Sequence, residues 1–105
     1  MMNNIYHHIR FNNKQISEMS DHDLLFLSTS SHEVIYSITN GMKSIANLAG
    51  VAVNSEEYSP DGAMTDLDRL SRLFSVLPLI IEAEYVNNVN AVSELRERRS
   101  KTQSK

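Results

Sequence analysis

Two features of this sequence predict an all-α fold, an antiparallel helical hairpin preceded by a short N-terminal helix. Apolar residues recur at alternating steps of three and four along two long stretches, the spacing of one helix face. A single strong breaker, Ser59-Pro60-Asp61-Gly62, separates them. Only three Gly and two Pro occur in 105 residues, too few for a many-stranded sandwich or barrel.

Residues 1–19 read as an N-terminal arm. Ile5, His7, Ile9 and Phe11 alternate with Tyr6, His8 and Arg10, which suits a short extended segment. A lone strand would need a partner from another subunit, and the other reading is a loosely docked arm.

Ser20 then has the position of a helix N-cap, its hydroxyl accepting from the amide of Asp23, while Met19 and Leu24 occupy the two positions of a hydrophobic staple. Asp21 and Asp23 fall in the first turn, where the helix dipole favours carboxylates. A short helix from Asp21 to about Leu27 follows, and Ser28, Thr29, Ser30 and Ser31 interrupt it.

Ser30 and Glu33 form a second capping box ahead of a helix from about Ser31 to Val53. Its face carries Ile35, Ile38, Met42, Ile45, Ala49 and Ala52, with Val34, Gly41 and Leu48 as a parallel row beside it. Gly41 weakens that helix by about 1 kcal/mol relative to Ala, so close approach of another backbone is a reason for it.

After the breaker, Thr65 is the expected N-cap of the last helix, which runs to about Arg98. Leu67, Leu70, Phe74, Leu77 and Ile81 keep the three-four step, and Tyr85, Val89, Val92 and Leu95 continue it after a small phase shift. Pro78 removes one hydrogen bond and presses on the carbonyl of Phe74, which predicts either a kink or two helices. Residues 20–99 thus form one helical domain, and residues 100–105, with no apolar member, are expected to be a disordered basic tail.

Ten basic and thirteen acidic residues give a net charge of −3, which argues against a surface built wholly for nucleic acid. The charge is uneven. Residues 96–105 hold five basic residues and one acidic, so they carry +4 and the first 95 carry −7. Arg96, Arg98, Arg99 and Lys101 therefore make a candidate anion-binding group, although cations at a helix C-terminus also simply complement the dipole.

Catalytic signals are weak. No Cys is present, so thiol nucleophiles, disulfides and thiolate metal sites are excluded. His7, His8, His22 and His32 lack the i, i+4 spacing that brings two imidazoles to one helix face. Ser28 to Glu33 contains serine, histidine and acid, yet a triad needs convergence in space, and capping already accounts for Ser30 and Glu33. Glu82 and Glu84, two apart near Tyr85, point to different faces. No catalytic residue, metal or cofactor is expected. The longest apolar run, Leu73 to Ile81, is about half the length a membrane helix needs, and no targeting signal precedes the fold, so the sequence reads as cytoplasmic.

Helix lengths suggest assembly. At 1.5 Å per residue the first long helix spans about 35 Å and the last about 51 Å, an overshoot of roughly 16 Å that carries Tyr85, Val89, Val92 and Leu95. The short helix cannot cover both this overshoot and the outer row with Val34 and Leu48. A homodimer resembling a four-helix bundle would bury both, the competing arrangement being a monomer wrapped by residues 1–27. The expected function is that of a small helical adaptor or regulator that binds an unidentified protein and self-associates. The alternative is a DNA-associated regulator using the basic helix end.

Overall fold

The computed structural model describes residues 2–103, with side chains from Ile5 onward, and its elements are four helices: α1 (Met2–Ile9), α2 (Asn13–Glu18), α3 (Asp21–Val53) and α4 (Pro60–Gln103). No strand occurs among the described residues. Helices α3 and α4 pack as the antiparallel hairpin, and α1 and α2 lie against α4.

The caps explain several boundaries. Ser20 accepts from the Asp23 amide at 3.1 Å, as its position predicts. The staple residues Met19 and Leu24 both reach the core. Asn12 and Gln15 close a reciprocal capping box at 2.8 and 2.9 Å, starting α2. Residues 2–19 are therefore not an extended segment, the first of the two readings of the arm. In the described part they form two helices, because the capping box and a buried partner described below satisfy the bend between them.

The expected interruption at Ser28 to Ser31 is also absent, and α3 runs unbroken for 33 residues. The serines lie on the packed side instead: Ser31 is fully buried and the Ser28 carbonyl accepts from Asn88. Small side chains there let α4 approach, and tertiary packing outweighs their modest preference for helix ends. The Ser30 and Glu33 pair consequently caps nothing.

Helix α4 begins six residues earlier than expected. Ser59 is its cap, accepting from the Gly62 amide at 3.0 Å, with Pro60 at the first helical position where its missing N–H costs nothing. Gly62 has no positive φ. A Cβ there would lie 2.9 Å from the Ser59 hydroxyl oxygen, so the glycine makes room for the cap. Thr65, expected as the cap, bonds back to the Asp61 carbonyl inside the helix. Pro78 does not divide α4, which continues for 44 residues with the proline on its exposed side. The expected basic tail is helical through Gln103, and residues 104–105 lie outside the described residues.

The merged α3 removes most of the overshoot. Its 33 residues span about 50 Å, and Asp21 at its start meets Arg98, leaving only the last turn of α4 beyond it. Along the seam, Leu24, Ser28, Ser31, Ile35, Ile38, Met42, Ile45 and Ala52 of α3 are buried or half-buried. They face Ala63, Leu70, Leu77, Glu84, Ala91 and Arg98 of α4, all covered to the same degree. Both sets follow a seven-residue repeat, the spacing of a coiled-coil seam.

The molecule measures 69 × 27 × 15 Å with a radius of gyration of 19.3 Å, against about 13 Å for a compact chain of this length. All fully covered residues, Ile16, Leu24, Ser31, Ala83, Asn87 and Ala91, lie at the end that carries α1 and α2. We call this end the base and the opposite end, around the loop 54–59, the tip.

Candidate functional site

One face of the hairpin is covered at the base and bare at the tip. On α3 the seven-residue row Leu27, Val34, Gly41, Leu48 flanks the seam, and on α4 the row Asn87, Ile80, Leu73, Asp66 flanks it on the same side. At the base both rows meet the N-terminal helices. Leu27 packs against the cluster of Ile16, Leu24 and Ala91. Asn87 accepts from the Phe11 amide at 2.8 Å and donates to the Ile9 carbonyl at 2.9 Å, pinning the bend between α1 and α2.

The neighbouring Asn88, about 100° round the helix, donates to the Ser28 carbonyl at 2.8 Å and so ties α4 to α3. Arg98 closes the far end of the base. Its guanidinium donates to Asp21 at 2.8 Å, to Glu94 at 3.0 Å and to the Ser17 carbonyl at 3.0 Å, and the carboxylates raise its pKa from the ordinary arginine value.

Towards the tip nothing in the chain covers the two rows. On the α3 row Leu48 is 70% exposed, and on the α4 row Leu73 is 39% exposed; Val51, Val53, Met64 and Leu67, on other sides of the two helices, are 60–84% exposed. Between the two helices on this face lies a groove of about 300 Å³, lined by Ile45, Leu48, Ala49, Ala52, Arg69 and Leu70 and closed at one end by Tyr58 and Asp66. The Tyr58 hydroxyl donates to the Asp66 carboxylate, which holds the phenol above its ordinary pKa of 10.0.

The residues expected at an interface divide. Val34, Leu48, Tyr85 and Val89 are exposed. Val92 is half-buried, and so is Leu95, which packs against the base cluster of Ile16, Leu24 and Ala91. Of the basic group, Arg96, Arg99 and Lys101 are exposed, whereas Arg98 is occupied by its ion pairs.

The other clusters stay dispersed. His7 and His8 flank an open polar notch with Arg10, while His22 and His32 lie exposed along α3. Among the described residues no three His, Asp or Glu side chains come together to hold a metal. In the segment from Ser28 to Glu33, Ser31 is buried and Ser28 half-buried, whereas His32 and Glu33 are exposed. Glu84 turns to the seam and Glu82 to the outside.

Sequence reasoning missed Asn87 and Asn88. Their signal was legible: two adjacent asparagines, poor helix formers, inside an apolar helix pattern. Such residues persist where their amides have buried partners. No described helix is long and apolar enough to cross a membrane. Compared with known proteins, the chain matches no family model, no curated protein and no solved structure.

Proposed function

We propose that this protein works by protein binding and self-association, as a small helical adaptor or regulator in the cytoplasm, and that it performs no catalysis. The observation that carries the reading is the number of large apolar side chains left in solvent at the tip, Leu48, Val51, Val53, Met64 and Leu67, beside an open groove lined by Ile45, Leu48 and Leu70. Apolar patches larger than a few hundred Å² mark interaction sites. A homodimer built like a four-helix bundle accounts for it, two hairpins each covering the other's bare face.

The accessible surface agrees in size. The chain exposes 8,019 Å², whereas a compact monomer of 11.9 kDa exposes about 5,900 Å². The excess is more than two and a half times the ~800 Å² that one partner contributes to a standard interface, the range of the larger obligate homodimers. Light scattering at micromolar concentration tests this. A mass of twice 11.9 kDa is expected, and a mass of 11.9 kDa rejects the homodimer.

The DNA-associated alternative draws on the exposed Arg96, Arg99 and Lys101. It requires binding that falls steeply with salt and weakens for all sequences alike when these three are neutralised.

A further inference from the structure

We infer that two copies pair antiparallel through their tips alone, about a twofold axis level with Leu48, and that Arg69 of each copy ion-pairs with the partner's Asp66; this rests on the self-association just proposed and adds its geometry. The first observation is steric. Helices α1 and α2 stand on the hairpin face that is bare at the tip, as the contacts of Asn87 and Leu27 show. From Asn87, α2 follows α4 towards Arg98, while α1 runs the other way over the fully buried Ala83 for about 12 Å and ends near Ile80. Counted from the bond between Asn88 and Ser28, Ile80 lies level with Tyr36 of α3. Copies with their tips side by side would stack two such layers at one height, holding the faces about 20 Å apart where packing needs about 8–10 Å. Antiparallel copies avoid this only if each tip stops short of the partner's Tyr36, which keeps the axis on the tip side of about residue 46. With the axis level with Leu48, Val53 falls level with the partner's Lys43 and the loop after it reaches the partner's Asn40. Both layers then lie outside the overlap, and the bare faces meet.

The second observation is electrostatic. Two charged side chains, Arg69 and Asp66, line the groove on this face. They do not bond to each other: the Asp66 carboxylate takes the Tyr58 hydroxyl, and Arg69 has no ion pair among the described residues. By the same count along the helices, the midpoint between them lies level with Leu48. An antiparallel twofold axis at that level sets each Arg69 opposite the partner's Asp66, so opposite charges meet twice about the axis. It also sets Leu48, the most exposed large apolar residue of its row at 70%, against its own copy. The charges thus place the axis within the range that the N-terminal layers leave open.

Exchanging the charges reads the pairing directly. Arg69→Asp and Asp66→Arg should each weaken association about tenfold or more by setting like charges against one another, and the double variant should recover most of the loss. Because the chain has no Cys, single thiols locate the axis. Under mild oxidation Leu48→Cys should link two copies, since only at the axis do equivalent residues come within the ~7 Å between Cα atoms that a disulfide allows. Val34→Cys, about 21 Å from the axis, should stay unlinked. Small-angle scattering should give the native dimer a maximum dimension of roughly 110 Å, whereas copies side by side keep the 69 Å of one chain. A native chain that stays monomeric overturns the self-association and this geometry together. A native dimer no longer than one chain, a Leu48→Cys dimer that fails to link, or a charge exchange that recovers nothing overturns the geometry alone.

Discussion

The base and the tip of this molecule are built on the same seven-residue repeat, yet only the base has an interior. At the base three layers meet, and Leu24, Ala91 and Asn87 are fully buried although two of the seam positions are serines. At the tip the seam is richer in large apolar residues, Ile38, Met42 and Ile45, but each is only half-buried because two helices cannot enclose one another. Burial therefore follows the number of layers rather than the hydrophobicity of the row. Two packed helices leave a seam with solvent on both flanks, and a third element is needed to close one.

Substitutions at the two ends test that difference. Leu24→Ala should lower unfolding stability by about 3 kcal/mol, since a fully buried leucine leaves a cavity, and denaturant titration would measure it. A loss as small as that expected at an exposed site would show that the base is not a core. Asn87→Ala comes next at about 2 kcal/mol, because it strands the Phe11 amide and the Ile9 carbonyl. Limited proteolysis should then cut within residues 10–12 in that variant while the native chain resists there.

Ser31→Ala should act with the opposite sign. The Ser31 hydroxyl is buried without a hydrogen-bond partner, so removing it should raise stability by about 1 kcal/mol. At the tip, Leu48→Ala should leave an isolated chain within about 0.5 kcal/mol of native, as befits an exposed side chain, but should lower the melting temperature at high protein concentration and flatten its dependence on concentration if copies pair there.

The smallest effect is that of pH. The Asp66 carboxylate raises the Tyr58 pKa, so the contribution of their hydrogen bond is fully present below the ordinary value of 10.0 and is lost as pH rises through the raised one. Ultraviolet titration should therefore show a step above the ordinary tyrosine value, and Tyr58→Phe should remove that late step. A late step that survives in Tyr58→Phe would assign it elsewhere.

What could be read beforehand depended on how far each signal reached along the chain. Ser20 and Asp23, or Met19 and Leu24, interact within two turns, and their arrangement was legible. The bare row of Val34, Gly41 and Leu48 was legible too, because helix geometry places residues seven apart on one side. The expectation that Leu95 needs a second subunit to cover it came from treating the first 27 residues as too small, whereas α2 and the start of α3 supply Ile16 and Leu24 to the cluster against which it packs, half-buried.

Composition and spacing by themselves determined that the chain is helical, that it turns back near Pro60, and that Ile35, Ile38, Met42 and Ile45 of α3 and Leu70 and Leu77 of α4 belong to the seam, since each of these follows from interactions between near neighbours. The expected continuation through Tyr85 and Val89 is exposed instead, and Glu84, Ala91 and Arg98 take those seam positions. The tertiary structure alone decided that Ser28 to Ser31 continue a helix, that residues 2–18 fold onto α4, and that Arg98 is occupied. Each of those outcomes hangs on a partner distant in sequence: Asn88 for Ser28, Asn87 for Ile9 and Phe11, Asp21 for Arg98. A serine is suited both to a helix cap and to a close helix contact, and only the side chain brought against it from another helix selects between them.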